Sequence, residues 1–159
     1  MIKDRLIEDR PQSVLFQQLA GDLVNGGFTF RFQARGRSMN PTVQDGEVLC
    51  VQPLEHKTLR VGDIVLTKTA GDFTAHRIIQ KRGDLFTTRG DAGCEPDGEV
   101  HRGQIFGVVI GKECPQSGRR VRLYGVLARL NFHAREAKRR MTFLADAIIK
   151  LSGTSLPSL

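Results

Sequence analysis

Between residues 28 and 111 the chain is a succession of short β-rich runs separated by Gly-Asp and Asp-Gly turns, and that punctuation leaves room for little except a compact, coiled β-fold. The first run alternates strictly. Phe28, Phe30, Phe32 and Ala34 fall on one side and Thr29, Arg31 and Gln33 on the other, the period of a half-buried strand. Five more follow, at 47–52 (EVLCVQ), 63–67 (DIVLT), 73–80 (FTAHRIIQ), 84–88 (DLFTT) and 105–111 (IFGVVIG).

The flanks read differently. Ser13 can cap a short helix running to about Asn25, with Leu15, Leu19 and Leu23 and the neighbouring Phe16, Ala20 and Val24 as one apolar stripe, stopped by Gly26-Gly27. After residue 120, Leu123, Leu127, Leu130, Ala134, Ala137, Met141, Leu144, Ile148 and Leu151 recur at intervals of four and three, a helical stripe. One unbroken helix would extend about 43 Å at ~1.5 Å per residue, more than so small a domain can cover, and Gly125 and Asn131 offer places to break it. Either way the stripe needs a partner: the protein's own surface, a second copy, or a bilayer interface. The domain reading is therefore a β domain with an N-terminal helix over 1–118, core 28–112, and a basic amphipathic extension and tail over 119–159.

Composition narrows the function classes. Residues 119–150 hold nine Lys or Arg against Glu136 and Asp146 alone, an asymmetry that favours a polyanion or an anionic membrane surface as a neighbour, with nucleic acid the weaker expectation. Three cysteines, Cys50, Cys94 and Cys114, suit neither a disulfide framework nor a zinc site, which implies a reducing compartment. The N-terminus lacks the apolar core of a secretory signal and no segment reaches 18 consecutive apolar residues, so the expected location is cytoplasmic or peripheral at a membrane. There is no phosphate-binding loop, internal repeat or metal motif, and neither a metal nor an organic cofactor is expected.

Chemistry concentrates in three places. Ser38 lies in GRSMNPT, a turn between two apolar strands, where a serine is ordinarily a polar turn residue. A serine hydroxyl becomes a nucleophile only with a base in hydrogen-bond reach. Of the four histidines, His56, His101 and His133 lie in charged loops or on a polar helix side, whereas His76 sits in mid-strand, where an imidazole needs a partner or a function. The loop TTRGDAGCEPDGE (87–99) carries Asp91, Glu95 and Asp97; such carboxylates are ordinarily turn-formers, but one of them could orient a base. Lys68 and Lys81 are the lysine alternatives as base.

Taken in order, GRSMNPT, VGDIV (61–65), AHRII (75–79), TRGD (88–91) and FGVVIG (106–111) resemble the catalytic core of the superfamily of type I signal peptidases and LexA-type autopeptidases, across residues 28–112. Bacterial signal peptidases and LexA-type proteins have a lysine where this chain has His76. The archaeal and endoplasmic-reticulum enzymes, with their sporulation relative, carry Ser-Met, His-Arg and a Gly-Asp loop with a further Asp, and the chain looks like these.

That resemblance implies Ser38 as nucleophile, His76 as general base and Asp97 as orienting carboxylate, with Asp91 holding the loop or serving as the alternative third member. It implies an oxyanion donor in the backbone N–H of Ser38; the hydroxyl residue common two positions earlier is here Gly36. It also implies an extended peptide or protein substrate with small residues at the cleavage site, bound by Phe32, Gln33, Ala34, Arg35, Gly36, Met39, Thr74 and Ala75. The alternative is a self-cleaving or non-catalytic LexA-like regulator that engages nucleic acid or a partner through the basic C-terminal helix, or an interaction domain.

Overall fold

In a computed structural model of the chain, residues 4–7, 14–55, 57–69 and 72–151 are described. Among these residues nine strands, two α-helices and one 3-10 turn follow in the order β1 (Asp4–Ile7), α1 (Val14–Asn25), β2 (Thr29–Gln33), β3 (Val48–Gln52), β4 (Ile64–Thr69), β5 (Asp72–Arg82), β6 (Leu85–Arg89), β7 (Gly98–His101), the 3-10 turn (Arg102–Gln104), β8 (Ile105–Glu113), β9 (Arg120–Arg122) and α2 (Val126–Leu151). The protein is mainly β, as its punctuated runs require. The strands form one sheet in the order β1-β2-β3-β8-β4-β5-β6-β7, with β9 added to β8. Every pairing is antiparallel except that of β1 with β2.

The sheet curls without closing into a barrel, since among the described residues no pairing joins β7 back to β1. Register shifts at Cys50/Val51, Leu66/Thr67 and Ile78/Gln80 bend it, because an extra residue in one strand kinks the ladder and deepens its twist. Curling produces two cores. Phe16, Phe30, Phe32, Leu49, Ile64 and Leu66 belong to the first, under α1, and Leu59, Val65, Ile78, Phe86 and Val108 to the second. Successive residues of β4 thus enter opposite cores, and Ile64, Val65 and Leu66 are all fully buried. A central strand covered on both faces reads as a continuous apolar run, which is how DIVLT stands in the sequence.

The first core is built around Phe16, whose ring lies 6.5 Å from Phe30, 5.3 Å from Phe32 and 5.4 Å from Phe73, each edge to face. Its burial contributes about 2–3 kcal/mol. The α1 stripe is narrower than the sequence suggests: Phe16 and Ala20 are fully buried, while Leu15 and Leu19 are exposed. A helix of 12 residues on a curved sheet meets it along one line, and the positions one residue to the side turn to solvent. The capping role expected of Ser13 lies outside the described residues, as does His56.

The C-terminal stripe departs further from expectation. Leu123 precedes α2 and is buried in the first core. The helix begins directly after Gly125 and runs through Asn131 unbroken, so neither residue divides it. It meets the body of the protein through Phe132 and through arginines, not through the leucine stripe. Arg129 pairs with Asp63 at 2.7 Å, Glu136 with Arg89 at 2.5 Å, and Arg139 donates to the carbonyl of Gly93 at 2.8 Å. No described helix is long and apolar enough to cross a membrane.

Candidate active site

The turn after β2 holds Ser38 by burying its neighbours. Met39 and Val43 are 6% and 3% exposed in the first core, and the Val43 N–H closes the turn on the Met39 carbonyl at 2.9 Å. Ser38 itself is exposed. A flexible thioether directly after the nucleophile and a valine at the far end of the turn, both in the core, pin the backbone while Ser38 stays exposed.

His76 projects from β5 with its side chain 12% exposed. Its Nε2 lies 2.9 Å from Ser38 Oγ and its Nδ1 2.5 Å from Asp97 Oδ2. Asp97 immediately precedes β7, which pairs with β6, and Asp97 N–H donates to the Thr88 carbonyl at 2.9 Å. The hydroxyl of Thr88, a residue only 2% exposed, donates in turn to Asp97 Oδ2 at 3.1 Å. The carboxylate is thereby held from the strand that also borders β5.

Asp91 takes a different place. Arg77 Nε donates to its Oδ1 at 2.8 Å and Nη2 to its Oδ2 at 2.6 Å, and Thr42 Oγ1 donates to Oδ2 as well. Arg77 is 4% exposed and also reaches the Gly62 carbonyl at 2.7 Å. Of the two carboxylates left open by the sequence, His76 meets Asp97, and Asp91 links the His76 strand to the Ser38 turn.

The loop between them crosses Ser38 at close range. Ala92 N–H donates to the Ser38 carbonyl at 2.9 Å, and a Cβ placed on Gly90 would come within 2.6 Å of that oxygen and 3.1 Å of His76 Nε2. Only glycine lets the backbone pass there. Thr88, Gly90 and Thr42 are site residues that pattern reasoning missed. The Gly-Asp pair was a signal for Gly90, but Thr88 and Thr42 are joined to the site only by strand register and turn shape.

Beside Ser38 lies a cavity of about 160 Å³, and Phe32, Ala34, Arg35, Gly36, Met39, Thr74 and Ala75 line it, seven of the eight residues expected to contact substrate. Gln33 is the exception: its side-chain amide turns to the Gly46 carbonyl at 3.0 Å. The pairing of β5 with β6 starts at Arg77, so Phe73–His76 have β4 along one edge and, among the described residues, no strand along the other. Gly36 N–H is engaged by Asp45 at 2.8 Å, and a Cβ built on Gly36 would meet nothing within 4 Å, so the space in which a hydroxyl residue would stand is open.

The remaining expectations fall elsewhere. His101 is exposed, and its Nδ1 accepts from Gly103 N–H at 3.2 Å; His133 is exposed on α2. Lys81 donates to the Leu59 carbonyl at 3.1 Å, and Lys68 is exposed. Cys50, Cys94 and Cys114 are not joined in disulfides. At Arg129 the Asp63 carboxylate raises the guanidinium above its ordinary pKa, against the opposing effect of burial.

The family model for Peptidase S24-like proteins matches residues 7–87, just over half of the chain. The matched span contains Ser38 and His76 and ends before Asp97. No curated protein matches the chain.

Proposed function

The chain belongs to the Peptidase S24-like family, and we propose that within it this protein is a serine endopeptidase of the signal-peptidase-like, Ser-His-Asp type, cleaving a leader-like peptide or a specialised partner protein after small residues. One observation carries this reading: the continuous contact from Ser38 Oγ through His76 to Asp97, at 2.9 and 2.5 Å. A serine, an imidazole and a carboxylate in that order are the parts of an acyl-transfer site whatever the fold.

In this mechanism Ser38 Oγ attacks the scissile carbonyl carbon while His76 Nε2 takes the hydroxyl proton. Asp97 keeps the Nδ1 proton facing it and stabilises the imidazolium. The Ser38 N–H donates to the oxyanion, and the open space beside Gly36 leaves room for a water as second donor. Collapse of the intermediate breaks the C–N bond, and His76 gives its proton to the leaving amine. Water then repeats the sequence on the acyl-enzyme, releasing the new carboxyl terminus and restoring Ser38.

Substrate entry as an added strand is supported by the edge of Phe73–His76, unpaired among the described residues, of which Phe73, Thr74 and Ala75 line the cavity. At about 160 Å³ that cavity has room for a single side chain beside Ser38. A histidine in the base position supports the archaeal and endoplasmic-reticulum subtype over the lysine-dependent one.

The family match also favours a second reading, a LexA-like regulator that cleaves itself or not at all. A fluorophosphonate probe with intact-mass analysis separates the two, together with a library of extended peptides. Covalent labelling at Ser38, lost in Ser38→Ala and His76→Ala, with cleavage of added peptides after Ala, Gly or Ser, is the expected result. Absence of both labelling and peptide cleavage in a folded protein rules out the peptidase reading, and scission of the chain itself without turnover of peptides favours the regulator.

A further inference from the structure

The outer face of α2 is apolar along its centre with an exposed cation at each margin, Lys138 and Arg140, and we infer that it docks on an anionic membrane surface. Val126, Leu127, Leu130, Met141 and Leu144 are between 57% and 78% exposed, and Ala134 and Ala137 lie exposed between them. Arg129, Phe132, Glu136 and Arg139 leave the helix on its other side and hold it to the protein. The face therefore does not complete the core. Five large apolar side chains on one side of one helix form a patch of the kind that marks an interaction site.

Charge decides what covers it. At 3.6 residues per turn Lys138 stands along one margin of the apolar strip and Arg140 along the other. Both are exposed, and among the described residues no carboxylate pairs with either. The helix has two acids: Glu136 is turned inward to Arg89, and Asp146 falls on the side away from the strip. A second copy of the chain would set Lys138 and Arg140 against like charges, with no acid in the face to answer them. The phosphates of an anionic bilayer answer both cations while the leucines enter the acyl boundary.

Docking through this face would hold the site at the membrane surface, because the same helix is fastened beside it. Arg135 donates to Thr42 Oγ1 at 3.0 Å and Arg139 to the Gly93 carbonyl, which are parts of the turn and the loop that frame Ser38. The inference does not rest on Ser38 being catalytic, and its test reads binding alone.

The test is vesicle flotation of the full chain with phosphatidylcholine alone and with phosphatidylcholine containing phosphatidylglycerol. The expected result is binding to the anionic vesicles that weakens with salt, at least about tenfold tighter than to the neutral ones. Leu127→Ser with Leu130→Ser, and separately Lys138→Glu with Arg140→Glu, should each reduce it about tenfold or more without changing the melting temperature, since all four side chains are in solvent. The charge reversals keep the leucines, so they report on the lipid contact even if the double serine variant folds poorly. Absence of vesicle binding overturns the inference, as does binding indifferent to both pairs. A dimer in sedimentation velocity that the leucine substitutions dissociate, with no vesicle binding, assigns the face to a second copy; preferential binding of duplex DNA that the charge reversals abolish assigns it to nucleic acid.

Discussion

Arg77 grips Asp91 through two nitrogens, at 2.8 and 2.6 Å, and the pair joins the residue after His76 to the residue after Gly90. Thr42, four positions beyond Ser38, donates to the same carboxylate. One buried ion pair thus ties together the strand of the base, the turn of the nucleophile and the loop that covers both. Lysine carries the charge but cannot reproduce a two-pronged contact while also reaching the Gly62 carbonyl. Arg77→Lys is expected to lower stability by about 2–3 kcal/mol in denaturant titrations and to slow labelling of Ser38 about tenfold or more.

Gly90 tests the close passage of the loop. Its absent Cβ leaves room for the Ser38 carbonyl, a backbone atom that cannot swing aside. Gly90→Ala should displace the loop, break the hydrogen bond from Ala92 N–H to Ser38 and reduce Ser38 reactivity by about a hundredfold, with the overall fold retained by circular dichroism. Unchanged labelling kinetics in this variant would contradict the packing described.

Asp97 and Thr88 separate chemistry from positioning. Asp97→Asn keeps the shape but removes the charge that stabilises the imidazolium, so kcat should fall roughly a thousandfold or more with little change in KM. Thr88→Val removes one donor to Asp97 and leaves the carboxylate in contact with His76. Its expected loss is about tenfold, and Thr88→Ser should restore most of it; failure of the serine variant to rescue would assign Thr88 to packing alone.

The strands at the centre of the fold were legible because their pattern is local. Alternation in Phe30 and Phe32 and the doubly buried run at Ile64–Leu66 each reflect the burial of that stretch alone. The strands β1, β7 and β9 were not legible: each is three or four residues long, and GEVH or RVR carries no periodicity apart from its partner strand. The juxtaposition of Ser38, His76 and Asp97 is a matter of order and spacing within a known arrangement, and so could be read. What fastens it could not. That Asp91 meets Arg77 while Asp97 meets His76 depends on where the β6–β7 hairpin places each carboxylate, six residues apart in a Gly-rich loop. In α2 the leucine stripe dominated the reading, and the inward face, made of arginines and Phe132, carries no apolar periodicity to detect.

Arg129 measures how firmly α2 is held. Asp63 is fully buried and accepts from Arg129 Nε at 2.7 Å and from the Arg60 N–H at 2.9 Å. Arg129→Ala leaves that carboxylate buried with only a backbone donor, an uncompensated charge that costs about 3 kcal/mol. Replacing both partners, Arg129→Met with Asp63→Asn, should recover part of the loss. The comparison is made by urea denaturation, and a double variant no more stable than Arg129→Ala would mean that the helix is held mainly by its other contacts.

The volume beside Ser38 makes a prediction about selectivity that follows from size alone. Ala75 lines the cavity from β5, on the stretch of strand whose outer edge is unpaired among the described residues, and Ala34 and Gly36 line it from the turn that follows β2. With about 160 Å³ to fill, a phenylalanine at position 75 would occupy most of the space that a substrate side chain needs. Ala75 is only partly buried, so the larger ring can be accommodated without overpacking the first core. Ala75→Phe is therefore expected to leave labelling of Ser38 by a small fluorophosphonate within about twofold, because the groups that activate the hydroxyl are untouched. Cleavage of extended peptides should fall by about a hundredfold in kcat/KM, with the loss mainly in KM for peptides bearing Ala and smaller for those bearing Gly at the cleaved position. Equal losses in probe labelling and peptide cleavage would instead place the damage at Ser38 and remove the cavity from the account of specificity.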